Sequence, residues 1–265
     1  MKESLKNIEL FLFDMDGTLY LGDTLFDFTK ELLAEIKRQG KRYLFMTNNS
    51  SKSPKAYVEK LKKLGIEACL DDFITSSQAT CYYLNEHHKG ARLYVCGTAS
   101  FKEELAQNGF EITEDIDKTD CIVSGFDTEL TFKKLEDISK MLCTRDMPYI
   151  ATNPDYVCPT EFGSVPDCGS VADMIFNATG KRPLFIGKPS PLMPELALKK
   201  WGVEKQNAAV IGDRIYTDVK SGLNAGILAI LVMSGETTKE ILDASPDKPD
   251  LVLNSGKDIL EAIKK

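Results

Sequence analysis

The chain has 265 residues, with 33 basic and 40 acidic side chains and a formal net charge of −7, a length that holds one large domain or two smaller ones around a sizeable core. An acidic balance argues against a protein whose main task is to neutralise phosphates along DNA or to coat an anionic membrane, because both need Lys and Arg in clustered excess. At 43% apolar and 28% charged residues the chain has globular composition, and its longest apolar stretches, such as 227–233, fall far short of the ~18 residues a membrane-spanning helix needs.

Short apolar, β-branched or aromatic runs alternate with helical stretches, which predicts a parallel sheet with crossover helices and an α/β class. In chain order the runs are 9–13, 42–46, 73–75, 92–96, 121–124, 149–151, 184–186, 208–211, 229–233 and 251–253. So many strands fit better in two sheets, and hence two domains, than in one open sheet. Between the second and third runs, 54–64 carries Tyr57, Val58, Leu61 and Leu64 at the spacing of an amphipathic helix, with Gly65 as its stop. Two stretches dense in turn-forming residues, 152–170 and 180–191, are long and irregular in the manner of functional loops. Seven cysteines, odd in number and without a C-x-x-C pair, fit reduced thiols better than a disulfide framework or a zinc cluster. Glu9 and Asp14 stand where a signal peptide would be apolar, so the expected location is cytoplasmic.

Asp14-Met15-Asp16-Gly17-Thr18 comes directly after the first apolar run. Two carboxylates at the carboxyl end of a buried strand, followed by a glycine turn, lie where open α/β sheets bind ligands. Charge there needs a cation or a proton to relieve it, and a metal-neutralised pair can attack phosphorus with one carboxylate while the other handles protons. Three later strand ends supply complementary groups. Thr47-Asn48-Asn49-Ser50 offers a hydroxyl and N–H donors for phosphate oxygens, although alone it reads more often as a turn and helix start. Lys188, after the run 184–186, brings an ammonium. Asp213, after the run 208–211, and Asp218 bring oxygen ligands for a hard cation such as Mg2+. From residues alone the reading stops at a metal-assisted phosphoryl site in an α/β protein.

The order Asp-x-Asp, Thr, Lys, Asp resembles the four motifs of the haloacid dehalogenase superfamily, matched here by DMDGTLY at 14–20, TNNSS at 47–51, GKPSP at 187–191 and GDRIYTD at 212–218. SGFDTELT at 124–131, ATNPD at 151–155 and the stretch 169–183 are similar to the group of NagD-like sugar phosphatases and 4-nitrophenyl phosphatases. The resemblance implies a Rossmann-like doubly wound parallel core with an inserted, smaller α/β cap of type 2A. Little more than one helix fits between the first and second motifs, so the cap falls between the second and third. The expected boundaries are core at 1–79, cap at 80–182 and core again at 183–265.

The resemblance further implies that Asp14 is the nucleophile, forming an aspartyl phosphate, and that Asp16 is the acid and then the base. Thr47, Asn48 and Lys188 would bind the phosphoryl oxygens. Mg2+ would be held by Asp14, the main-chain carbonyl of Asp16, and Asp213, with Asp218 a direct or water-mediated partner. The expected partner is a small phosphorylated substrate, with no nucleic acid and no membrane, and a homodimer would be unsurprising for the group. Cap residues 152–172 would select the leaving group. There the amides of Gly169 and Ser170 face either a polar substrate group or simply a helix start. The role of Arg214 stays open, and His87, His88 and Cys168 are given no catalytic part. A phosphotransferase sharing the aspartyl phosphate, or a phosphoacceptor or ligand-binding protein without turnover, are the alternatives.

Overall fold

The protein is described from a computed structural model covering residues 5–160 and 162–264. The chain divides into two compact units. The first comprises 1–47, 57–74 and 188–265, and the second 48–56 and 75–187.

The first unit is built on a parallel sheet in the order Leu251–Leu253, Leu228–Val232, Ala208–Gly212, Leu10–Phe13, Arg42–Thr47, Phe73–Thr75. Leu10–Phe13 is buried along its whole length, as expected of a central strand with both faces covered. Its register sets the geometry of everything that follows. Phe13 stands opposite Ile211 on one side and Phe45 on the other, so Asp14, Asp213 and Thr47 all leave the sheet at its carboxyl edge. From the central strand the chain passes to one side through Arg42–Thr47 and later to the other through Ala208–Gly212, which makes this edge a topological switch point. The core packs Phe11, Phe13 and Phe45 with Leu32 and Ile36 from the helix Thr29–Arg38 and Ile259 and Ile263 from Gly256–Ile263. Pro54–Lys63 forms the amphipathic helix read from the sequence, and Gly65 follows it at φ +77°.

The second unit has its own parallel sheet, in the order Leu184–Phe185, Tyr149–Ala151, Cys121–Ser124, Arg92–Cys96, Glu111–Ile112, and a separate antiparallel hairpin of Val157–Thr160 with Gly163–Pro166. Tyr94, Ile122, Ile138, Met141 and Ile175 form part of its core. The fold class is thus the α/β, Rossmann-like core with a second α/β unit inserted. The compact units divide at 74/75 and 187/188, within several residues of the expected 79/80 and 182/183. Thr75 caps the helix Ser76–His87, and that helix starts the second unit. Leu184 pairs with Ile150, so the strand expected to reopen the core belongs instead to the inserted sheet, and the core resumes only at Lys188. The hairpin occupies the stretch read as irregular loop. Among the described residues no helix is long and apolar enough to cross a membrane.

Candidate active site

Four of the side chains singled out in the sequence meet at the carboxyl edge of the first unit's sheet. The Lys188 ammonium lies 2.6 Å from Asp14 Oδ1 and 2.6 Å from Asp218 Oδ1, and donates more weakly to the Met46 carbonyl at 3.3 Å. Lys188, Asp213 and Asp218 are buried and Asp14 is partly so. Asp14, Asp213 and Asp218 each place a carboxylate oxygen within 4.8 Å of the other two.

The local sequence explains how such acidic groups come so close. Gly17 adopts φ +81°, and a Cβ built on it would lie 2.4 Å from Asp213 Oδ2. Only a residue without a side chain can both turn the chain there and leave room for that carboxylate. Asp213 Oδ2 accepts the Glu236 main-chain N–H at 2.6 Å. Its Oδ1 is buried with no hydrogen-bond partner among the described residues. Asp218 is fully engaged, with Oδ1 on Lys188 and Oδ2 accepting the Arg214 main-chain N–H at 3.1 Å.

The electrostatics follow from three carboxylates sharing one ammonium. Burial pushes the Asp14 carboxyl well above its usual range; Lys188 counters this and Asp218 and Asp213 add to it. Burial and the Asp218 charge raise Asp213 as well. For Lys188, burial works against the charged form, but Asp14 and Asp218 more than offset it and hold the ammonium above its ordinary value. The cluster is short of positive charge, and the orphaned Asp213 Oδ1 is an oxygen ligand of the kind a divalent cation takes. The donor set of Asp14, Asp213 and Asp218 therefore fits a hard metal ion.

The other expected residues are placed differently. Asp16 is exposed at the turn, where its Oδ1 accepts the Gly22 N–H at 3.3 Å, and its carboxylate is outside the acidic cluster. Thr47 ends its strand and is buried. Asn48, its neighbour in the chain, belongs to the second unit, where its amide donates to the Asp155 oxygens at 3.3 and 3.1 Å. Lys188 reaches the cluster three residues after an edge strand of the second unit's sheet, so the expectation that it ends a buried core strand is corrected. The amides of Gly169 and Ser170 are taken by the Asp155 and Asp167 carbonyls, and the Asp167 side chain accepts from Cys168 N–H, so this segment is a helix start. The Cys168 thiol is buried and pushed up to about 12, which agrees with assigning it no reactivity. His87 and His88 lie against the Tyr83 ring, at 4.4 and 5.9 Å between centroids. The residues the sequence reading missed are Ser234 to Thr237, which grip Asp213. The available signal was a glycine turn directly after the apolar run 229–233, the same pattern that marked the other strand ends.

A family model described as haloacid dehalogenase-like hydrolase matches residues 11–111, and a second, HAD-hydrolase-like, matches 185–259. An acid sugar phosphatase of Staphylococcus aureus (strain USA300) is 34% identical over 259 residues, 98% of each chain. Among solved structures, a 4-nitrophenylphosphatase from Thermotoga maritima is 40% identical with a TM-score of 0.93, covering 98% of this chain and 99% of that one. NagD from E. coli K-12 is 27% identical with a TM-score of 0.86, covering 96% and 98%.

Proposed function

The chain belongs to the haloacid dehalogenase superfamily, within its NagD-like phosphatases, and on that premise we propose that it is a Mg2+-dependent phosphomonoesterase acting on a small phosphorylated metabolite such as a sugar phosphate. The observation that carries the reading is the Lys188 ammonium bridging Asp14 and Asp218 beside the unpartnered Asp213 Oδ1. This arrangement supports a nucleophilic carboxylate held by a cation next to an oxygen set aside for a metal.

Asp14 attacks phosphorus with a carboxylate oxygen, and the bond from phosphorus to the leaving oxygen breaks. Asp16 gives its proton to that oxygen, so the alcohol departs neutral. Asp16, now a carboxylate, takes a proton from water as the water oxygen attacks the aspartyl phosphate, releasing phosphate and restoring Asp14. Lys188 fixes the rotamer of Asp14 through its 2.6 Å contact and lends positive charge to the phosphoryl oxygens. The Thr47 hydroxyl and Asn48 are assigned to the same oxygens. Asp14, Asp213 and the Asp16 carbonyl would hold Mg2+, which supplies charge neutralisation for the anionic phosphoryl group. Asp218, whose oxygens accept from Lys188 and the Arg214 N–H, would join them directly or through water. Scattered cysteines, odd in number and without a C-x-x-C pair, are consistent with a cytoplasmic enzyme.

The test is the release of 4-nitrophenol from its phosphate ester by the wild-type chain and by Asp14→Asn, with Mg2+ and with a chelator. Activity that needs both the metal and Asp14 is the expected result. Turnover retained in Asp14→Asn removes it as nucleophile, and a stable phosphorylated Asp14 without release turns the reading to a phosphoacceptor.

A further inference from the structure

The loop 234–237 belongs to none of the four motifs, yet it hydrogen-bonds both the side chain and the main chain of Asp213. The Glu236 main-chain N–H donates to Asp213 Oδ2 at 2.6 Å, and the Thr237 N–H donates to the Asp213 carbonyl at 3.2 Å. A Cβ on Gly235 would lie 2.0 Å from Asp213 Oδ2, and one on Gly17 would lie 2.4 Å from the same oxygen. The carboxylate therefore occupies a slot with a glycine on either side. Ser234 Oγ donates to the Gly17 carbonyl at 2.7 Å, tying the two walls together.

What orients this loop is the side chain of Glu236. Its Oε2 pairs with Arg214 Nε at 2.7 Å, and its Oε1 accepts the Tyr216 hydroxyl at 2.7 Å. Burial disfavours the Arg214 charge, but Glu236, together with Tyr216, Asp14 and Asp218, more than offsets it. The Glu236 side chain is 42% exposed, so the pair contributes little to global stability. Its consequence is local. Holding both carboxylate oxygens of Glu236 fixes the backbone at that residue, and with it the direction of the N–H that occupies Asp213 Oδ2. With Oδ2 occupied, the carboxylate cannot rotate freely, and Oδ1 is the oxygen left over.

We propose that Arg214 and Glu236 are positioning residues: with Tyr216 they lock the loop 234–237 so that Asp213 presents Oδ1, and only Oδ1, to a divalent cation. The inference rests on the reading of Asp213 as a metal ligand and gives Arg214 a role that the sequence left open. Outer contacts of this kind orient ligands and tune affinity without touching the metal or the substrate.

The experiment measures Mn2+ binding directly, by the electron paramagnetic resonance signal of free Mn2+ in titrations of the wild-type chain, Glu236→Gln, Arg214→Ala, Arg214→Lys and Gly235→Ala, with thermal melting of each. Glu236→Gln and Arg214→Ala are expected to weaken Mn2+ binding about tenfold with little change in melting. Arg214→Lys, which keeps the charge, falls between Arg214→Ala and wild type. At saturating Mn2+ the KM for 4-nitrophenyl phosphate stays at the wild-type value in these variants. Gly235→Ala is expected to weaken Mn2+ further, and should it fail to fold, the charge variants carry the test. Wild-type affinity in Glu236→Gln and Arg214→Ala overturns the inference and leaves the metal reading standing. A wild-type chain that binds no Mn2+ overturns both.

Discussion

Replacing Lys188 by Met removes the ammonium while keeping much of the stem, and its consequences can be worked from the contacts it makes. Lys188 is 3% exposed and sits 2.6 Å from a carboxylate oxygen on each of Asp14 and Asp218. Without it, three carboxylates remain within 4.8 Å of one another, with no side-chain ammonium between them. Breaking a buried ion pair by removing one partner costs about 3–5 kcal/mol. Two pairs are lost here, but a proton can take the place of the cation, so the lower figure, about 3 kcal/mol, is expected at pH 8 in chelator. The sign with pH follows from the same geometry. Burial already holds Asp14 above its unfolded value, and loss of the ammonium raises it further. Wild-type Asp14 is itself raised to about 8, so the folded variant binds more protons than folded wild type only above that value, and its deficit shrinks as pH falls from 10 to 8. Urea unfolding at both pH values reads this directly. Lys188→Met with Asp218→Asn should be more stable at pH 8 than Lys188→Met alone, because the second change removes an orphaned charge. Turnover should fall by about 10²–10³, the usual effect of deleting one donor to a developing phosphoryl or oxyanion charge. Equal unfolding midpoints for Lys188→Met and wild type at pH 8 in chelator, or a deficit that does not change with pH, would refute the reasoning.

Asp16→Asn should slow an alkyl phosphate far more than 4-nitrophenyl phosphate in the first step, because 4-nitrophenolate leaves without a proton. Phosphorylated Asp14 should accumulate, as seen by mass spectrometry after acid quench, and equal slowing of both esters with no accumulation counts against the acid and base role. Glu104, on the helix Ala99–Gln107 of the second unit, is pushed up to about 7 by burial. A carboxyl raised above its unfolded value near 4.3 costs stability as pH rises from about 4.3 to 7, and the full penalty applies above that window. Glu104→Gln should therefore match wild type near pH 4 and exceed it at pH 8 by about 2 kcal/mol after allowance for solvent screening. A gain of the same size at both pH values in thermal or urea unfolding would exclude the mechanism.

Much of this protein is legible locally. Runs such as 92–96 and 121–124 coincide with strands Arg92–Cys96 and Cys121–Ser124, because continuous β-branched and apolar residues bounded by turns have few other stable arrangements. The strands missed are those in which a local signal is weak. Glu111–Ile112 is two residues long, and the hairpin of Val157–Thr160 with Gly163–Pro166 is largely exposed and carries Pro159 and Pro166, so neither burial nor alternation announces it. The placement of Asp14 after a buried run, and of Asp213 after another, was enough to mark the sheet edge at which the carboxylates gather, since charge at such a place has few structural uses.

By itself, then, the sequence determined the α/β class, the presence of two sheets and the acidic strand ends, all of which depend on side-chain chemistry and periodicity within a few residues. Only the tertiary structure decided which sheet each strand joins. It put Leu184–Phe185 beside Tyr149–Ala151 and yet brought Lys188, three residues further on, between Asp14 and Asp218. It also decided that Glu236, which no motif contains, holds one oxygen of Asp213 and leaves the other without a hydrogen-bond partner among the described residues. Pairing and register are contacts between segments far apart in the chain, and hydrogen-bond saturation of a carboxylate depends on which backbone reaches it. Neither is encoded in the residues immediately around the group concerned.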